Sequence, residues 1–317
     1  MGAAKFAREQ MAPAINAAQN ARLAALATSD AAKAAPFDAI APGIQVFPDY
    51  DALIADPDID AVYVPLPNSL HVEWTRKALL AGKHVLTEKP IAMQASEIDE
   101  LIALRDQTGL VAAEAYMIVH HPQWQDARQL LADDAIGDLL RVNATFTYDN
   151  SADPGNIRNS AAMGGGSLPD IGVYTLGCTR FVTGREPLEI VHADLTRENG
   201  VEVRAEIMAR FEGFTLTSLT SMRMALYQSV TFHGSKGVME LPSPFNPLGY
   251  GDAELRVMRK GEPTVVRRYP GVNHYVRQVE PFGAAIRGEA SYPCPLEFSQ
   301  GTQAMIDMIL DAETKKG

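Results

Sequence analysis

Residues 60–90 read DAVYVPLPNSLHVEWTRKALLAGKHVLTEKP, and this stretch decides the fold. Ala61–Leu66 is a β-branched run that predicts a buried strand, and His84–Thr87 predicts a second one. Between them, the pattern predicts a helix from about Leu70 to Ala81 that ends at Gly82. Two short strands joined by a helix of this length indicate a βαβ crossover in a parallel sheet.

The same alternation of helices and strands continues on both sides of this stretch. Further segments match it, with helices expected over residues 7–18, 50–55 and 96–107 and strands over residues 23–27 and 110–113. We therefore predict a doubly wound α/β domain over residues 1–116, in which helices cover both faces of a parallel sheet.

After about residue 116, the pattern changes to period-two alternation. Strands with one packed face are expected over residues 140–148, 190–195, 201–211 and 215–221. Helices are expected over residues 123–131, 276–286 and 297–314, and an irregular loop over residues 241–251. These features predict an α+β domain over residues 117–317 with a large, mostly antiparallel, open sheet.

Composition excludes several classes of protein. The chain has 317 residues, enough for two domains at about 100–200 residues each. It carries 28 Lys and Arg against 39 Asp and Glu, and the net charge of −11 disfavours binding to nucleic-acid phosphates. Its two cysteines, Cys178 and Cys294, exclude a disulfide framework and indicate a reducing compartment. Without a long apolar run or a secretion signal, we expect a cytoplasmic protein that binds neither nucleic acid nor membranes.

Gly2 opens the first predicted helix in a pattern that resembles a phosphate-binding glycine fingerprint. Ala4 and Ala7 stand at its second and third positions. Small residues there let the backbone approach a pyrophosphate at a helix N-terminus. An ordinary Ala-rich helix start explains the same residues, so both interpretations stay open at this point.

Lys89 lies in the segment Thr87-Glu88-Lys89-Pro90, directly after a predicted strand. In doubly wound sheets, ligands bind beyond the carboxyl ends of the strands, which makes this lysine a candidate functional residue. The alternative is a surface turn with a solvated Glu–Lys pair. An ordinary lysine has a pKa of about 10.4 and acts as a base at neutral pH only if its surroundings lower that pKa.

Residues 163–174 read MGGGSLPDIGVY and combine a glycine run with two reactive side chains. Asp170 and Tyr174 are four residues apart, so a helix places them on one face, where an acid and a phenol can bind a polyol and pass a proton. Arg158, in the turn-like segment DPGNIR, can hydrogen-bond sugar hydroxyls. The alternatives are a Gly-rich loop before a helix with two exposed polar groups, and an ordinary turn.

A metal site is not expected. His120 and His121 are adjacent, but no other His or Cys lies nearby at metal-ligand spacing.

In their order along the chain, these motifs resemble those of the Gfo/Idh/MocA family, named for glucose-fructose oxidoreductase and inositol dehydrogenase. The resemblance rests on residues 60–93, 114–123, 153–158 and 163–174 and covers nearly the whole chain. It implies a Rossmann domain that binds NAD(P), followed by a mixed-sheet domain that covers the nicotinamide. It also implies hydride transfer between the cofactor and a carbinol of a sugar, polyol or dihydrodiol.

The resemblance implies catalytic roles for Lys89, Asp170 and Tyr174. Lys89 matches the lysine of the family's Glu-Lys-Pro motif, which contacts substrate and assists proton transfer. Many members have His where this chain has Tyr174. The branch that resembles glucose-fructose oxidoreductase, dimeric dihydrodiol dehydrogenase and NADP-dependent xylose dehydrogenase has Tyr there. The implied substrate contacts are Lys89, Met117, Arg158, Asp170 and Tyr174.

The implied cofactor contacts are Gly2, Ala3, Ala4, Lys5, Phe6, Thr28, Ser29, Lys33, Pro65, Leu66, Pro67, Asn68, His71, Glu88 and Lys89. Ser29 stands where relatives often carry an Arg that binds the 2′-phosphate of NADP, and Lys33 can partly replace that Arg. We expect NADP, with NAD as the alternative. The chain also starts without the strand that precedes the glycine fingerprint in the family, so we expect a doubly wound sheet that lacks its first strand.

In the expected mechanism, Tyr174 accepts the hydroxyl proton beside the Lys89 cation, while Asp170 and Arg158 orient the substrate hydroxyls. Two alternatives stay open: a glycosidase or lyase of the same family that uses NAD transiently, and a noncatalytic nucleotide- or sugar-binding protein.

We also expect a homodimer or homotetramer that forms through the open sheet of the second domain. One sheet face is expected to expose Met208, Phe211, Leu216 or Leu219, and Met222, or their alternates by register.

Overall fold

The structure is a computed structural model that describes residues 1–314, which divide into two compact units. The first unit contains Met1–Met117 and Asn273–Gln300, and the second contains Ile118–Val272 and the residues from Gly301 onward. The sequence analysis assigned residues 273–300 to the second domain, and here the structure differs. The helix His274–Ile286 packs on the first helix of the chain, a contact between distant segments that no local pattern indicates.

The first unit alternates short parallel strands with helices, as the βαβ pattern predicts. Its strands are β1 (Ala25–Ala27), β2 (Gln45–Phe47), β3 (Ala61–Val64), β4 (His84–Thr87) and β5 (Ala112–Glu114). Its helices before residue 117 are α1 (Ala12–Ala17), which follows a π-helical turn over Ala7–Met11, α2 (Ala31–Asp38), α3 (Tyr50–Ala55), α4 (His71–Leu80) and α5 (Ala95–Thr108). Buried apolar side chains of β3, β4, α4 and α5 form one core.

The parallel strands form two separate sheets, one of β1 and β2 and one of β3, β4 and β5. The first two residues of the chain reach both sheets. The Gly2 amide donates to Ala27 O at 2.8 Å, and the Met1 amino group donates to Tyr63 O at 2.7 Å. Burial lowers the pKa of this amino group to about 5. A cleft of ≈ 720 Å³ is lined by residues of β1 and β3, which belong to different sheets. The predicted doubly wound parallel sheet is therefore present as two parts.

The second unit is built on an eight-stranded sheet of order β13-β12-β11-β10-β6-β9-β8-β7. The sheet strands are β6 (Leu139–Asp149), β7 (Pro187–Glu198), β8 (Val201–Phe211), β9 (Thr215–Ser221), β10 (Arg223–Gly234), β11 (Gly237–Leu241), β12 (Glu254–Arg259) and β13 (Val265–Arg268). All neighbouring strands pair antiparallel except β6 and β9, which are parallel. The large, mostly antiparallel sheet is therefore confirmed.

Helices complete the second unit and close the chain. They are α6 (Pro122–Ala132), α7 (Val173–Thr183), which follows a π-helical turn over Leu168–Gly172, α8 (Pro247–Tyr250), α9 (His274–Ile286, in the first unit) and α10 (Leu296–Thr314). Single 3₁₀ turns cover Asn68–Leu70, Met117–His120, Ile157–Asn159 and Ala161–Met163. Within residues 1–314, none of the helices combines the length and hydropathy that a membrane crossing needs.

The faces of the large sheet differ from the expected distribution of apolar side chains. Phe211, Leu216 and Met222 are buried, and only Met208 and Leu219 of the expected set are half-exposed. The sequence left the register open, and the buried face took the larger side chains because helix α7 packs against β6 and β9. The other face of β8 is mainly charged, with Arg204, Glu206 and Arg210 among its residues.

Lys83, at the start of β4, provides a test of the packing in the first unit. Its buried ammonium donates to Asp56 O at 2.6 Å and to Ile59 O at 2.7 Å. Lys83→Met keeps the apolar stem but removes the ammonium from both carbonyls, and Asp56 O then retains only the Ile59 amide at 3.4 Å, so we expect the free energy of unfolding to fall by about 1–3 kcal/mol. Urea unfolding at pH 7 measures this change, with the exposed Lys260→Met as control. Equal midpoints for the two variants would contradict the expectation.

Candidate active site

Backbone hydrogen bonds on both sides fix the turn that carries Lys89. Strand β4 ends at Thr87, whose carbonyl accepts from the Ala115 amide at 2.6 Å. The Glu88 amide donates to Val64 O at 3.1 Å. These bonds continue the pairing of β4 with both neighbouring strands beyond the end of β4. The backbone of Lys89 is therefore held at the carboxyl edge of the sheet, the position predicted from the sequence.

Two buried side chains hold the residues just after Lys89. The imidazole of His71 lies with Nδ1 2.7 Å from Pro90 O and Nε2 2.8 Å from Leu66 O. On the other side, the Ile91 amide donates to Glu114 Oε1 at 2.8 Å. His71 is fully buried with both ring nitrogens within hydrogen-bond distance of backbone carbonyls, so its expected contact with the cofactor stays a prediction. Its position in the motif suggested proximity to the cofactor, but not that the ring points into the protein.

Acidic groups surround the same turn. Tyr63 Oη donates to Glu88 Oε1 at 2.5 Å, and the Lys89 amide donates to Glu88 Oε2 at 3.3 Å. Burial raises the pKa of Glu114, and the nearby Glu88 charge raises it further, whereas the Ile91 amide and the Lys89 charge act in the opposite direction. The turn therefore combines one cationic side chain with two carboxyl groups in a partly dry environment.

The start of the chain is compatible with a dinucleotide. Gly2 has φ +76°, and a Cβ on it would lie 3.1 Å from Leu66 Cδ2 and 3.4 Å from Tyr50 Oη, so only glycine fits without strain. The helix that follows presents its first residues to solvent, with Lys5 and Phe6 exposed and Ala3 and Ala4 half-buried. The segment after β3 is also accessible, and its residues Pro65, Pro67 and Asn68 are half-buried. These positions fit a bound NAD(P).

The residues expected at the adenosine end lie together after β1. Thr28 Oγ1 accepts from the Asp30 amide at 3.2 Å, and Asp30 caps helix α2 by accepting from the Ala32 amide at 2.9 Å. Ser29 and Lys33 are exposed, and the Lys33 ammonium lies 3.8 Å from the Asp30 carboxylate. A flexible cation is therefore available where a 2′-phosphate would need one.

In the second unit, Asp170 is the centre of a buried polar cluster. Its Oδ2 accepts from Tyr148 Oη at 2.6 Å, and its Oδ1 lies 2.9 Å from Arg158 Nε. Burial raises the pKa of Tyr148 well above its usual value, and the Asp170 charge adds to this effect. The Asp170 charge also raises the pKa of Arg158. Tyr148 thus stays a hydrogen-bond donor and Arg158 a cation, and together they hold one carboxylate in place.

Tyr174 lies close to this cluster, on the helix that begins just after Asp170. Its side chain is only 7% exposed, and its ring packs against Phe146 and Phe245 at centroid distances of 5.9 and 5.6 Å. The Arg158 guanidinium is near enough for the two groups to interact electrostatically. The structure therefore brings Asp170, Arg158 and Tyr174 together, as the sequence analysis predicted.

The glycine run explains how Arg158 reaches Asp170. The Gly166 amide donates to Arg158 O at 3.0 Å, and a Cβ on Gly165 would overlap that same carbonyl. A Cβ on Gly166, which has φ +131°, would overlap the carboxylate of the buried Glu202. Glu202 Oε1 in turn accepts from the Leu168 amide at 3.0 Å. The glycines thus let the loop pack between the Arg158 segment and a carboxylate that holds the start of the helical turn.

Sequence reasoning missed three residues of these clusters, Tyr148, Glu202 and Glu114, and did not predict the contacts of the His71 ring with two backbone carbonyls. A tyrosine at the end of a strand and a glutamate within one carry no local signal of function. Met117 is only 2% exposed, and its expected role as a substrate contact stays a prediction. His121 Nδ1 accepts from the Gln123 amide at 3.1 Å at the start of α6, and within residues 1–314 no group of three metal-ligating side chains occurs.

Gly166→Ala tests the packing of the loop on Glu202. The added methyl group needs the left-handed backbone and must displace the carboxylate, so we expect a clear loss of thermal stability and of activity. Gly184→Ala is the matched control because Gly184 has φ +64° with open space around its Cβ, and it carries the backbone strain alone. Differential scanning calorimetry measures both variants. An equal loss in the two would show that the contact with Glu202 is unimportant.

Comparison with known proteins identifies the family to which the chain belongs. Residues 1–116 match the oxidoreductase family with an NAD-binding Rossmann fold, and residues 124–240 match the Gfo/Idh/MocA C-terminal domain. An uncharacterized oxidoreductase of Rhizobium meliloti is 36% identical over 98% of this chain and 94% of its own. An NADP-dependent D-xylose 1-dehydrogenase of Haloferax volcanii is 30% identical over 99% of this chain and 96% of its own.

Among solved structures, a 3-ketoreductase from Actinomadura kijaniata in complex with NADP and TDP-benzene superposes with a TM-score of 0.90. It is 30% identical, and the match covers 98% of this chain and 95% of that one. The resemblance seen in the motifs is thereby confirmed along nearly the full length of the chain. This protein belongs to the Gfo/Idh/MocA family of oxidoreductases, with the family's NAD-binding Rossmann fold over residues 1–116.

Proposed function

We propose that this protein is an NADP-linked oxidoreductase that interconverts a hydroxyl and a keto group on a sugar or a closely related polyol or dihydrodiol. The observation that carries the proposal is the rigid placement of two kinds of proton-handling group. Lys89 is held on a fixed turn in the first unit, and Tyr174 lies beside the Asp170–Arg158 pair in the second. A merely nucleotide-binding protein has no need for either arrangement.

The residues present suggest how the reaction proceeds. Bound nicotinamide supplies the chemistry of accepting or returning a hydride. Tyr174 takes the proton of the reacting hydroxyl, and Lys89 favours that transfer by its positive charge. Arg158 and Asp170 hydrogen-bond neighbouring hydroxyls, which fixes the carbinol carbon for transfer.

NADP rather than NAD is the proposed cofactor. The exposed Lys33 at the start of α2 is available to a 2′-phosphate, and Ser29 beside it can donate a hydrogen bond. The A. kijaniata ketoreductase is bound to NADP, and the H. volcanii xylose dehydrogenase is named for NADP. Both findings support the proposal by analogy.

We propose a sugar-type substrate because of the polar groups gathered around Asp170. An ionised carboxylate, a guanidinium and a phenol match the alternating donors and acceptors of vicinal hydroxyls. The H. volcanii relative is named a D-xylose 1-dehydrogenase, and the A. kijaniata 3-ketoreductase is bound to TDP-benzene. The experiment is a panel of aldoses, polyols, dihydrodiols and dTDP-sugars, each with NADP and NAD. Change in the absorbance of reduced nicotinamide with a sugar is the expected result, and no change with any compound would contradict the proposal.

Self-association and compartment complete the proposal. Large apolar side chains are exposed on strands of the eight-stranded sheet, and these are Leu188, Val191, Leu226, Tyr227 and Val265. A second copy of the chain that covers them would remove this surface from water. The two cysteines are both buried and are too few for a disulfide framework, which supports a reducing cytoplasm, and the net charge of −11 argues against nucleic acid or anionic membranes as partners.

Lys89→Ala and Tyr174→Phe test the catalytic assignment. Each is expected to lower kcat by about two to four orders of magnitude, since each removes an acid–base or charged group, while the Kd for NADP changes only a few-fold. Lys77→Ala and Tyr250→Phe are the matched controls. Steady-state kinetics and fluorescence titration of NADP measure both effects. Turnover within a few-fold of the original in either variant would remove that residue from the mechanism.

Tyr227→Glu tests the proposed self-association. Light scattering at micromolar concentration is expected to give at least twice the 34.4 kDa of one chain, and the variant is expected to shift this mass toward one chain. Leu80→Glu, at an exposed apolar position of the first unit, is the control and should leave the mass unchanged. A mass near 34 kDa for the original protein would refute the proposal.

A further inference from the structure

The peptide group between Pro90 and Ile91 is held at both of its polar ends by buried ionisable side chains. Its carbonyl oxygen lies 2.7 Å from Nδ1 of His71, and its amide donates to Glu114 Oε1 at 2.8 Å. His71 is 0% exposed and Glu114 is 5% exposed. This peptide group comes directly after the one between Lys89 and Pro90. Contacts that restrain it therefore also restrain the backbone from which the Lys89 side chain extends.

The surroundings of His71 determine which form of its ring satisfies the site. Both of its partners, Pro90 O and Leu66 O, are backbone carbonyl oxygens, which accept hydrogen bonds and cannot donate them. The ring makes both hydrogen bonds only when both nitrogens carry a proton, and it is then a cation. An imidazolium, a peptide dipole and a carboxylate then lie in series, and each hydrogen bond polarises the next.

We propose that His71 and Glu114 act together as a clamp on the Pro90–Ile91 peptide group that positions Lys89 for proton transfer. This inference rests on the function proposed above for Lys89. His71 and Glu114 are positioning residues, because they affect proton transfer only by holding the backbone of the turn that carries Lys89. The second bond of His71 extends the clamp to Leu66 in the segment after β3, so it joins the two loops that follow β3 and β4.

Charged groups face both ends of the clamp, and both ends are buried. Lys89 faces both groups, Glu88 and Tyr292 face Glu114, and burial lowers the pKa of His71 while it raises that of Glu114. Burial therefore disfavours the charged form of both groups, and the link between them is geometric because both hold the same peptide group. Removing one end should loosen the peptide group that the other end holds, so the effects of the two substitutions should not add.

A double-mutant cycle tests this dependence. His71→Leu and Glu114→Met each remove one end of the clamp, and each is expected to lower kcat by about 10- to 100-fold because a small displacement of a reacting group has such an effect. The KM for NADP should change by less than a few-fold. The kcat of the double variant should be no lower than that of the less active single variant. Losses that multiply, or single variants with unchanged kcat, would overturn the proposal.

Conservative variants keep the test valid if the apolar ones fail to fold. His71→Asn keeps a donor for Pro90 O, and Glu114→Gln keeps an acceptor for the Ile91 amide. Each should retain more activity than its apolar counterpart, and the pH profile of kcat should shift because one titrating group is gone. Lys83→Met is the matched control. It also removes two hydrogen bonds to backbone carbonyls of the first unit, yet it lies at the opposite end of β4 and should leave kcat unchanged.

Two further measurements separate failure of the clamp from failure of the proposed function. In a Lys89→Ala background, the clamp variants should not lower kcat further. Hydrogen exchange of the Ile91 amide, followed by NMR in the unmutated and variant proteins, reports the clamp without any activity. Exchange at least tenfold faster in His71→Leu, where Glu114 is untouched, is the expected result. Unchanged exchange would overturn the clamp even if Lys89 proves essential, whereas fast exchange with a dispensable Lys89 would overturn only the function.

Discussion

The register of the parallel strands at the carboxyl edge of the first unit determines the arrangement of the candidate site. Val64 of β3 lies beside Thr87 of β4, and Thr87 lies beside Glu114 of β5. Parallel pairing puts all three strand ends at the same edge, so the segments that follow them must lie next to one another. Because of this row, the Glu88 amide reaches Val64 O and the Glu114 carboxylate reaches the Ile91 amide. A shift of β4 by one residue would turn the Lys89 side chain to the other face of the sheet and would break both of these hydrogen bonds.

The second unit also holds its candidate site residues in fixed positions, but it uses side-chain contacts rather than strand register. There the carboxyl group of Asp170 is removed from most water contact and is paired with the Arg158 guanidinium and the Tyr148 phenol. The glycine run supplies the close backbone approach that sets Arg158 beside it. In both units, therefore, a short segment is held by a buried carboxyl group, that of Glu114 in the first and that of Glu202 in the second, and candidate site residues lie beside the segment so held. Such restraint is what proton transfer between positioned groups requires.

Sequence reasoning predicted the parts of the molecule that local pattern controls. The βαβ unit over residues 60–90, the alternation over residues 201–211 and 215–221, and the grouping of Asp170, Arg158 and Tyr174 all appear in the structure. It made no prediction for the segments that form β10, β12 and β13, and only the last residue of β11, Leu241, fell within the segment predicted as an irregular loop. Nor could it find Tyr148, since the Asp170 that Tyr148 contacts is 22 residues away along the chain. The direction of the His71 ring depends on tertiary packing, which a motif does not encode.

The central claim is that the fixed Lys89 and Tyr174 serve direct transfer between a sugar carbinol carbon and a nicotinamide. The most direct measurement uses a substrate from the panel that is deuterated at the reacting carbon, with mass spectrometry of the reduced cofactor. The account predicts that the reduced cofactor carries the deuterium and that turnover slows with the labelled substrate. Consumption of the sugar without a labelled, reduced cofactor would contradict it.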